Sequence, residues 1–196
     1  MAHQKVAIVG HSLVWWYNKF VSEDGSLPAN FGFVNTDVQC ILSDVKRGLV
    51  IDDLPLIRDD LVQFAPDVIF LILGDNDLYR TDAEDVAQRL IIAGTMLRAW
   101  TGGAKLIHID LFPRFWSVDY DYYFPSYNQD AMWVNEMVRE GVSDQDRTFT
   151  WTCKGPSFND PKASTYFSDD GVHLNATGQV KLYRSLQKAL HVFRTF

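Results

Sequence analysis

The sequence is poor in the features that mark nucleic-acid-binding proteins and membrane proteins. Lysine and arginine total 18 against 25 acidic residues, which gives a net charge of −7. No basic run is longer than Lys46-Arg47, so the chain lacks the positive footprint of a protein that binds nucleic-acid phosphates. The longest apolar run, residues 68–73, is far shorter than the ~20 residues of a membrane-spanning helix. We therefore expect no direct nucleic-acid binding and no transmembrane segment.

Cysteine is also scarce. The two cysteines, Cys40 and Cys153, are distant in sequence, and neither has a histidine at metal-ligand spacing. Reduced, buried thiols are expected, although one disulfide between them is an alternative. The N-terminal stretch MAHQKVAIVG lacks the charged region and long apolar region of a secretory leader. These features favour a cytoplasmic protein, and no metal or other cofactor is predicted.

The chain does contain a regular alternation of short apolar runs and longer segments with helical periodicity. The predicted strands are residues 5–10, 35–42, 67–74, 104–111 and 148–152. The predicted helices are residues 13–21, 54–64, 83–100, 128–141 and 178–196. Such alternation predicts an α/β fold, a doubly wound three-layer sheet of about five parallel strands, in a single domain over residues 1–196.

Polar residues follow three of these strands directly. Gly10-His11-Ser12 comes after the first strand, and Gly74-Asp75-Asn76-Asp77 comes after the third. Past the fifth strand, Asp170 and His173 stand three positions apart, just before the last helix. Ligands of doubly wound sheets bind beyond the carboxyl ends of the strands. A serine, a histidine and a carboxylate are therefore predicted to meet at one edge of the sheet.

This set of residue types is typical of nucleophilic catalysis by serine. A serine hydroxyl is a weak nucleophile until an imidazole takes its proton, and a third group must hold that imidazole in one tautomer. Ser12 is the candidate nucleophile and His173 the candidate base. Asp170 and Asp169 compete for the orienting role, and the spacing favours Asp170. As an alternative, Ser12 could simply cap a helix, because serine is a preferred N-cap residue.

An oxyanion hole needs hydrogen-bond donors next to the nucleophile. The backbone N–H of Ser12 would lie at the start of a helix, where the helix dipole favours negative charge. The side chain of Asn76 could supply a second donor if the third strand lies beside the first. The backbone N–H of Gly48 could supply a third, because glycine permits close approach.

These residues resemble the four sequence blocks of the SGNH (GDSL-type) hydrolases. The matches are Ser12 in GHS, Gly48 in VKRG, Asn76 in GDND, and Asp170 with His173 in DGVH. The resemblance implies a flavodoxin-like fold and a serine esterase that hydrolyses carboxylic esters through an acyl-enzyme. It also implies a Ser-His-Asp triad, with Ser12, Gly48 and Asn76 forming the oxyanion hole.

The first block departs from the family pattern, because His11 stands where Gly-Asp-Ser has an aspartate. The combination of GHS with GDND and DGVHLN is similar to the esterase domains in first-reading-frame proteins of LINE-type retrotransposons. That narrower resemblance implies a larger parent protein whose other parts bind nucleic acid. An alternative is an SGNH-fold module with weak or no activity that binds a lipid, glycan or protein partner.

An aromatic-rich stretch follows the fourth strand. Together with His11, its residues Phe112, Trp116 and Tyr123 are the predicted substrate contacts, and Trp15 and Trp16 are further candidates. These rings could equally cover the sheet edge and core. The polar alternation in DYDYY favours a shallow site for acetyl or short acyl esters, with a small ester, a lipid or an acetylated glycan as substrate. Two other expectations are a satisfied core position for His108 and a helix cap at Asn175.

Overall fold

The computed structural model describes residues 3–41, 48–115 and 124–193. Within these residues, parallel strands form one sheet in the order β2-β1-β3-β4-β5. The predicted α/β fold with a five-stranded parallel sheet is confirmed. The strands are β1 (Gln4–Gly10), β2 (Thr36–Ile41), β3 (Val68–Ile72), β4 (Lys105–Ile109) and β5 (Thr148–Trp151).

The helices follow the predicted order, with one difference. They are α1 (Ser12–Glu23), α2 (Arg58–Phe64), α3 (Ala83–Trp100), α4 (Phe124–Val142) and α5 (Ala176–Phe193). The second predicted helix, residues 54–64, is divided, because a 3-10 segment over Ile51–Ile57 precedes α2. Pro55 lies inside that 3-10 segment, and a proline has no N–H for an α-helical hydrogen bond.

Helices cover both faces of the sheet, so its strands are buried on both sides. Along β3, Ile69 and Leu71 pack into a cluster with residues of α2, α3 and α4. The intervening residues Phe70 and Ile72 pack on the opposite face with residues of α1 and α5. This arrangement explains why β3 is apolar at every position instead of alternating.

The strand order reverses between β1 and β3, because β2 lies on one side of β1 and the later strands lie on the other. Gly10 at the end of β1 pairs with Ile72 at the end of β3. The segments that begin with His11 and with Leu73 therefore leave the sheet side by side. Such a switch point is where ligands bind in open α/β sheets.

Gly10 itself is required by this close approach. A Cβ atom at Gly10 would collide with the backbone carbonyl oxygen of Ile72 and lie 2.7 Å from Cγ2 of Val14 in α1. The backbone of β3 cannot move away without breaking the sheet pairing.

The two cysteines lie at opposite edges of the sheet, Cys40 in edge strand β2 and Cys153 just after edge strand β5. Both thiols are free, and burial raises the pKa of each to about 12. The width of the sheet separates them, so the alternative of a disulfide is wrong. No helix among the described residues has the length and apolar character needed to cross a bilayer.

Asn175 caps α5, as predicted, because its Oδ1 accepts the backbone N–H of Gly178 at 3.0 Å. His108 in β4 is a core residue, 4% exposed, but the expectation that it is satisfied is wrong. Its Nε2 has no hydrogen-bond partner among the described residues. Burial lowers the pKa of His108 to about 4, so the imidazole is neutral in the folded protein at neutral pH.

Gly10→Ala is expected to lower the free energy of unfolding by roughly 2 kcal/mol or more, because the methyl group meets backbone atoms that cannot shift. Urea denaturation measures the change. Gly25→Ala is the matched control, since a Cβ at Gly25 has no atom within 4 Å. Equal stability of the two variants would contradict the steric argument.

His108→Leu is expected to reduce the pH dependence of stability. The unfolded chain takes up a proton near the ordinary pKa of 6.5, whereas the folded protein resists protonation down to about 4. Stability is therefore lost as pH falls from about 6.5 to about 4, by up to ~3 kcal/mol from this group. Urea titrations across that range should show a flatter profile for His108→Leu but not for His191→Leu, which changes an exposed histidine of α5.

Candidate active site

The nucleophile predicted from the sequence, Ser12, is the first residue of α1. The residue that caps this helix is His11, whose Nδ1 accepts the backbone N–H of Leu13 at 3.4 Å. The alternative that Ser12 is the cap is therefore wrong. Ser12 Oγ lies instead 2.9 Å from Nε2 of His173.

His173 also contacts the predicted orienting carboxylate. Its Nδ1 lies 2.6 Å from Oδ2 of Asp170, whose Oδ1 accepts the backbone N–H groups of Val172 and His173 at 2.9 Å each. Burial alone would raise the pKa of Asp170, but the hydrogen bonds from His173 and Val172 outweigh it and hold that pKa below its usual value. An ionised Asp170 accepts a hydrogen bond from Nδ1–H and holds the imidazole in the tautomer whose Nε2 can accept the hydroxyl proton of Ser12. Asp169, the competing carboxylate, is exposed.

A short turn holds His173 in place. The backbone N–H of Ser168 donates to the carbonyl of His173 at 2.7 Å, and Phe167 pairs with Leu174 in an isolated β-bridge. At the tip, Gly171 has a φ of +66°, and a Cβ atom there would collide with the carbonyl oxygen of Phe115. A glycine is therefore required for the turn to dock against the segment after β4.

The two remaining predicted oxyanion donors lie close together along the same edge. Asn76 Nδ2 donates to the carbonyl of Leu49 at 3.1 Å, and the carboxylate of Asp77 accepts the N–H of Ile51 at 3.1 Å. These bonds join the segment beginning at exposed Gly48 to the loop after β3. An asparagine amide carries two hydrogens, and the bond to Leu49 uses one of them.

A buried hydrogen-bond network lies behind the nucleophile. His11 is 3% exposed and Asp75 is 2% exposed, and Nε2 of His11 is 2.9 Å from Oδ2 of Asp75. Tyr127 of α4 donates its hydroxyl to Oδ1 of Asp75 at 2.8 Å. The guanidinium of Arg114 lies 4.7 Å and 4.4 Å from the ring centroids of Tyr79 and Tyr127.

This network keeps Asp75 ionised. Burial by itself would raise the pKa of Asp75, but His11, the positive charge of Arg114 and the hydroxyl of Tyr127 together lower it to about 2. No motif in the sequence predicted this network. The sequence contains one signal for it, namely His11 at a position where an aspartate is usual, together with the carboxylate of Asp75. These two residues follow β1 and β3, which end side by side.

Of the four predicted substrate contacts, two are buried and two lie outside the described residues. His11 and Phe112 are both 3% exposed, and Phe112 packs in the core, so neither presents side-chain surface to a substrate. Burial in the network and in the core thus corrects the expectation for these two residues. Trp116 and Tyr123 lie outside the described residues. Of the further candidates, Trp16 is 37% exposed and its ring centroid lies 6.1 Å from that of His173.

An open cleft of about 560 Å³ begins at His173 and extends between α1 and the start of α5. Lys19 lies on its α1 side, with its ammonium group 5.3 Å from the ring centroid of Trp16 and 5.7 Å from that of Trp15. The cleft therefore combines an aromatic surface with charged and polar groups. Its other lining residues include Phe20, Glu23, Ser168, Leu174 and Gln179.

No group of three or more metal-ligating side chains occurs in the part of the chain that the structure describes. The two carboxylates of the GDND block are engaged elsewhere. Asp75 is bonded to His11 and Tyr127, and Asp77 to the backbone of Ile51.

Solved structures similar to this one are esterases and lipases by name. A GDSL-like lipase from Bacteroides thetaiotaomicron has a TM-score of 0.69 at 12% identity, covering 96% of this chain and 88% of its own. An acetylxylan esterase from Geobacillus stearothermophilus, solved as a catalytic mutant, has a TM-score of 0.68 at 14% identity, with 95% and 94% covered. A carbohydrate esterase family 3 protein from Talaromyces cellulolyticus has a TM-score of 0.65 at 17% identity, with 100% of both chains covered. At these identities the similarity shows a shared fold.

Comparison with curated protein sequences gives no match. The model of the GDSL-like Lipase/Acylhydrolase family, in contrast, matches residues 27–181. The matched region includes Asn76, Asp170 and His173 and begins after Ser12, whose placement rests on the geometry of β1 and α1. Because the match spans most of the sequence, the chain belongs to the GDSL-like lipase/acylhydrolase family.

Proposed function

We propose that this acylhydrolase is a serine esterase that cleaves acetyl or short acyl esters through an acyl-enzyme. The observation that carries the proposal is the continuous line of hydrogen bonds from Ser12 through His173 to Asp170, 2.9 Å and 2.6 Å long. This is the arrangement that activates a serine hydroxyl at neutral pH. The family membership and the fold support the same reaction class.

The reaction has two halves. Ser12 Oγ attacks the carbonyl carbon of the ester while Nε2 of His173 takes the hydroxyl proton. The backbone N–H groups of Ser12 and Gly48 and the amide of Asn76 stabilise the oxyanion that forms. When the tetrahedral intermediate collapses, His173 gives the proton to the departing alcohol oxygen. Water then attacks the acyl-enzyme with His173 as base, which releases the carboxylic acid and restores the hydroxyl of Ser12.

The cleft next to His173 is the proposed site for the alcohol part of the ester. The departing oxygen must lie within reach of Nε2 of His173 to receive its proton, and the cleft begins at that side chain. The exposed indole of Trp16 and the nearby polar groups suit a ring with hydroxyl groups, such as an acetylated sugar. Two of the similar structures are carbohydrate esterases by name, which supports this choice over a lipid.

The alternative of a binding module without activity has no observation in its favour, because the described residues retain nucleophile, base and orienting carboxylate at bonding distance. Residence in a LINE-type retrotransposon protein and a cytoplasmic location stay predictions from the sequence.

Ser12→Ala is expected to lower the turnover of p-nitrophenyl acetate by ~10⁴-fold or more, because the acyl-enzyme cannot form without the hydroxyl. Ser22→Ala, an exposed serine of the same helix, is the matched control and should turn over like the wild type. A fluorophosphonate probe should label the wild type and Ser22→Ala but not Ser12→Ala. Retained turnover in Ser12→Ala would rule out the proposed nucleophile.

Asp170→Asn is expected to lower kcat by ~10³–10⁴-fold with little change in stability, because an amide permits the wrong imidazole tautomer. Steady-state kinetics on p-nitrophenyl acetate measure the loss. The neighbouring exposed residue gives the control, Asp169→Asn, for which kcat should stay at the wild-type value. Similar losses in both variants would show that a general loss of negative charge, and not orientation of His173, is responsible.

A further inference from the structure

The buried pair of His11 and Asp75 connects the two halves of the candidate active site. His11 directly precedes Ser12, and Asp75 directly precedes Asn76. The two side chains meet at 2.9 Å below the sheet edge where β1 and β3 end. The hydrogen bond between His11 and Asp75 thus joins the segment that contains Ser12 to the segment that contains Asn76.

We propose that His11 is a positioning residue that fixes Ser12 relative to Asn76 through its bond to Asp75. The proposal rests on the proposed esterase function and concerns the geometry of the transition state. His11 is 3% exposed, and its two ring nitrogens contact Asp75 and the backbone N–H of Leu13, so we assign it a role in positioning and not in the chemical step.

The ring of His11 uses both nitrogens, and these contacts indicate its tautomer. Nδ1 accepts the N–H of Leu13, so Nδ1 carries no proton. A neutral imidazole then has its proton on Nε2, which donates to the carboxylate of Asp75. One rigid ring therefore attaches the first turn of α1 to the loop after β3.

The Asp75 side of the pair is equally constrained. Its second carboxylate oxygen accepts the hydroxyl of Tyr127, which also lies 3.3 Å from the carbonyl oxygen of Phe112. Arg114, which packs against the Tyr127 ring, supplies a positive charge that balances Asp75. Asp75 is therefore held from α4 and from the segment after β4, and it can act as a fixed anchor for His11.

The charges explain why an imidazole is suited to position 11 in this chain. An aspartate there, the residue usual in SGNH hydrolases, would place a second carboxylate close to the buried carboxylate of Asp75. Two such carboxylates cannot both be ionised at low cost, and added negative charge would oppose the oxyanion nearby. The identities of residues 11 and 75 are thus coupled.

Two conservative variants separate the functions of the ring nitrogens. His11→Asn places an amide oxygen near the position of Nδ1, which preserves the cap on α1 but does not reach Asp75. His11→Gln places an amide nitrogen near the position of Nε2, which preserves the bond to Asp75. We expect kcat for p-nitrophenyl acetate to fall ~30–100-fold in His11→Asn and less than ~5-fold in His11→Gln, with KM within about twofold in both, because small misplacement of catalytic groups affects the transition state most.

A second pair of variants tests the coupling of charge. His11→Asp is expected to lose ~100-fold or more in kcat, and the double variant His11→Asp with Asp75→Asn is expected to recover at least ~10-fold of that loss, because an amide at position 75 removes one of the two buried negative charges. Thermal unfolding of every variant, with kinetics well below each Tm, separates positioning from loss of folded protein. His191→Asn, at an exposed position of α5, is the control with wild-type kcat.

Each outcome decides between the two proposals. Equal kcat in His11→Asn and His11→Gln, a raised KM at unchanged kcat, or no recovery in the double variant would overturn the positioning role and leave the esterase function intact. Turnover that survives Ser12→Ala would overturn the esterase function, and the positioning role with it. Both proposals are supported if turnover by the wild type depends on Ser12 and if kcat falls in His11→Asn but is largely kept in His11→Gln.

Discussion

The close pairing of β1 with β3 determines where the residues of the candidate active site can lie. Gly10 and Ile72 approach so closely that no side chain fits between them. Because the chain leaves both strands at the same level, Ser12 and Asn76 lie along one edge although they are far apart in sequence. The same pairing brings His11 and Asp75 to hydrogen-bonding distance. The close approach of Gly10 to Ile72 thus positions both the proposed catalytic residues and the buried pair of His11 and Asp75.

Two carboxylates at this edge have different environments, and these environments suit different tasks. Asp75 is enclosed and stays ionised only because Arg114, Tyr127 and His11 surround it. Asp170 is partly exposed and accepts backbone N–H groups as well as the imidazole of His173. A fully enclosed carboxylate with fixed partners suits the role of an anchor. A carboxylate at the surface of the cleft suits the proposed role of stabilising the positive charge that would develop on His173 in the proposed reaction.

The cleft beside His173 shows how helix α1 serves two purposes. Its buried face, with Leu13 and Val14, packs against the sheet and holds Ser12 in place. Its exposed face presents Trp16 and Lys19 to the cleft. An amphipathic helix that begins at the proposed nucleophile therefore contributes both that residue and part of the proposed binding surface for the alcohol.

The α/β class, the number of strands and the candidate residues Ser12, Asn76, Asp170 and His173 were all predictable from the sequence. Those features depend on local patterns, namely apolar runs, helical periodicity and short motifs, which are readable within a few residues. It did not reveal the division of residues 54–64 or the burial of Phe112.

The surroundings of these candidate residues became visible in the folded chain alone. The hydrogen bond of His11 with Asp75 joins segments that are distant along the chain, and the contact of Arg114 with Tyr127 joins the segment after β4 to α4. Within the described residues, Nε2 of His108 has no hydrogen-bond partner. No local pattern encodes such contacts, because they depend on strand order and on how the helices pack across the sheet. The sequence therefore supplied the candidate reactive residues, and the fold determined their surroundings.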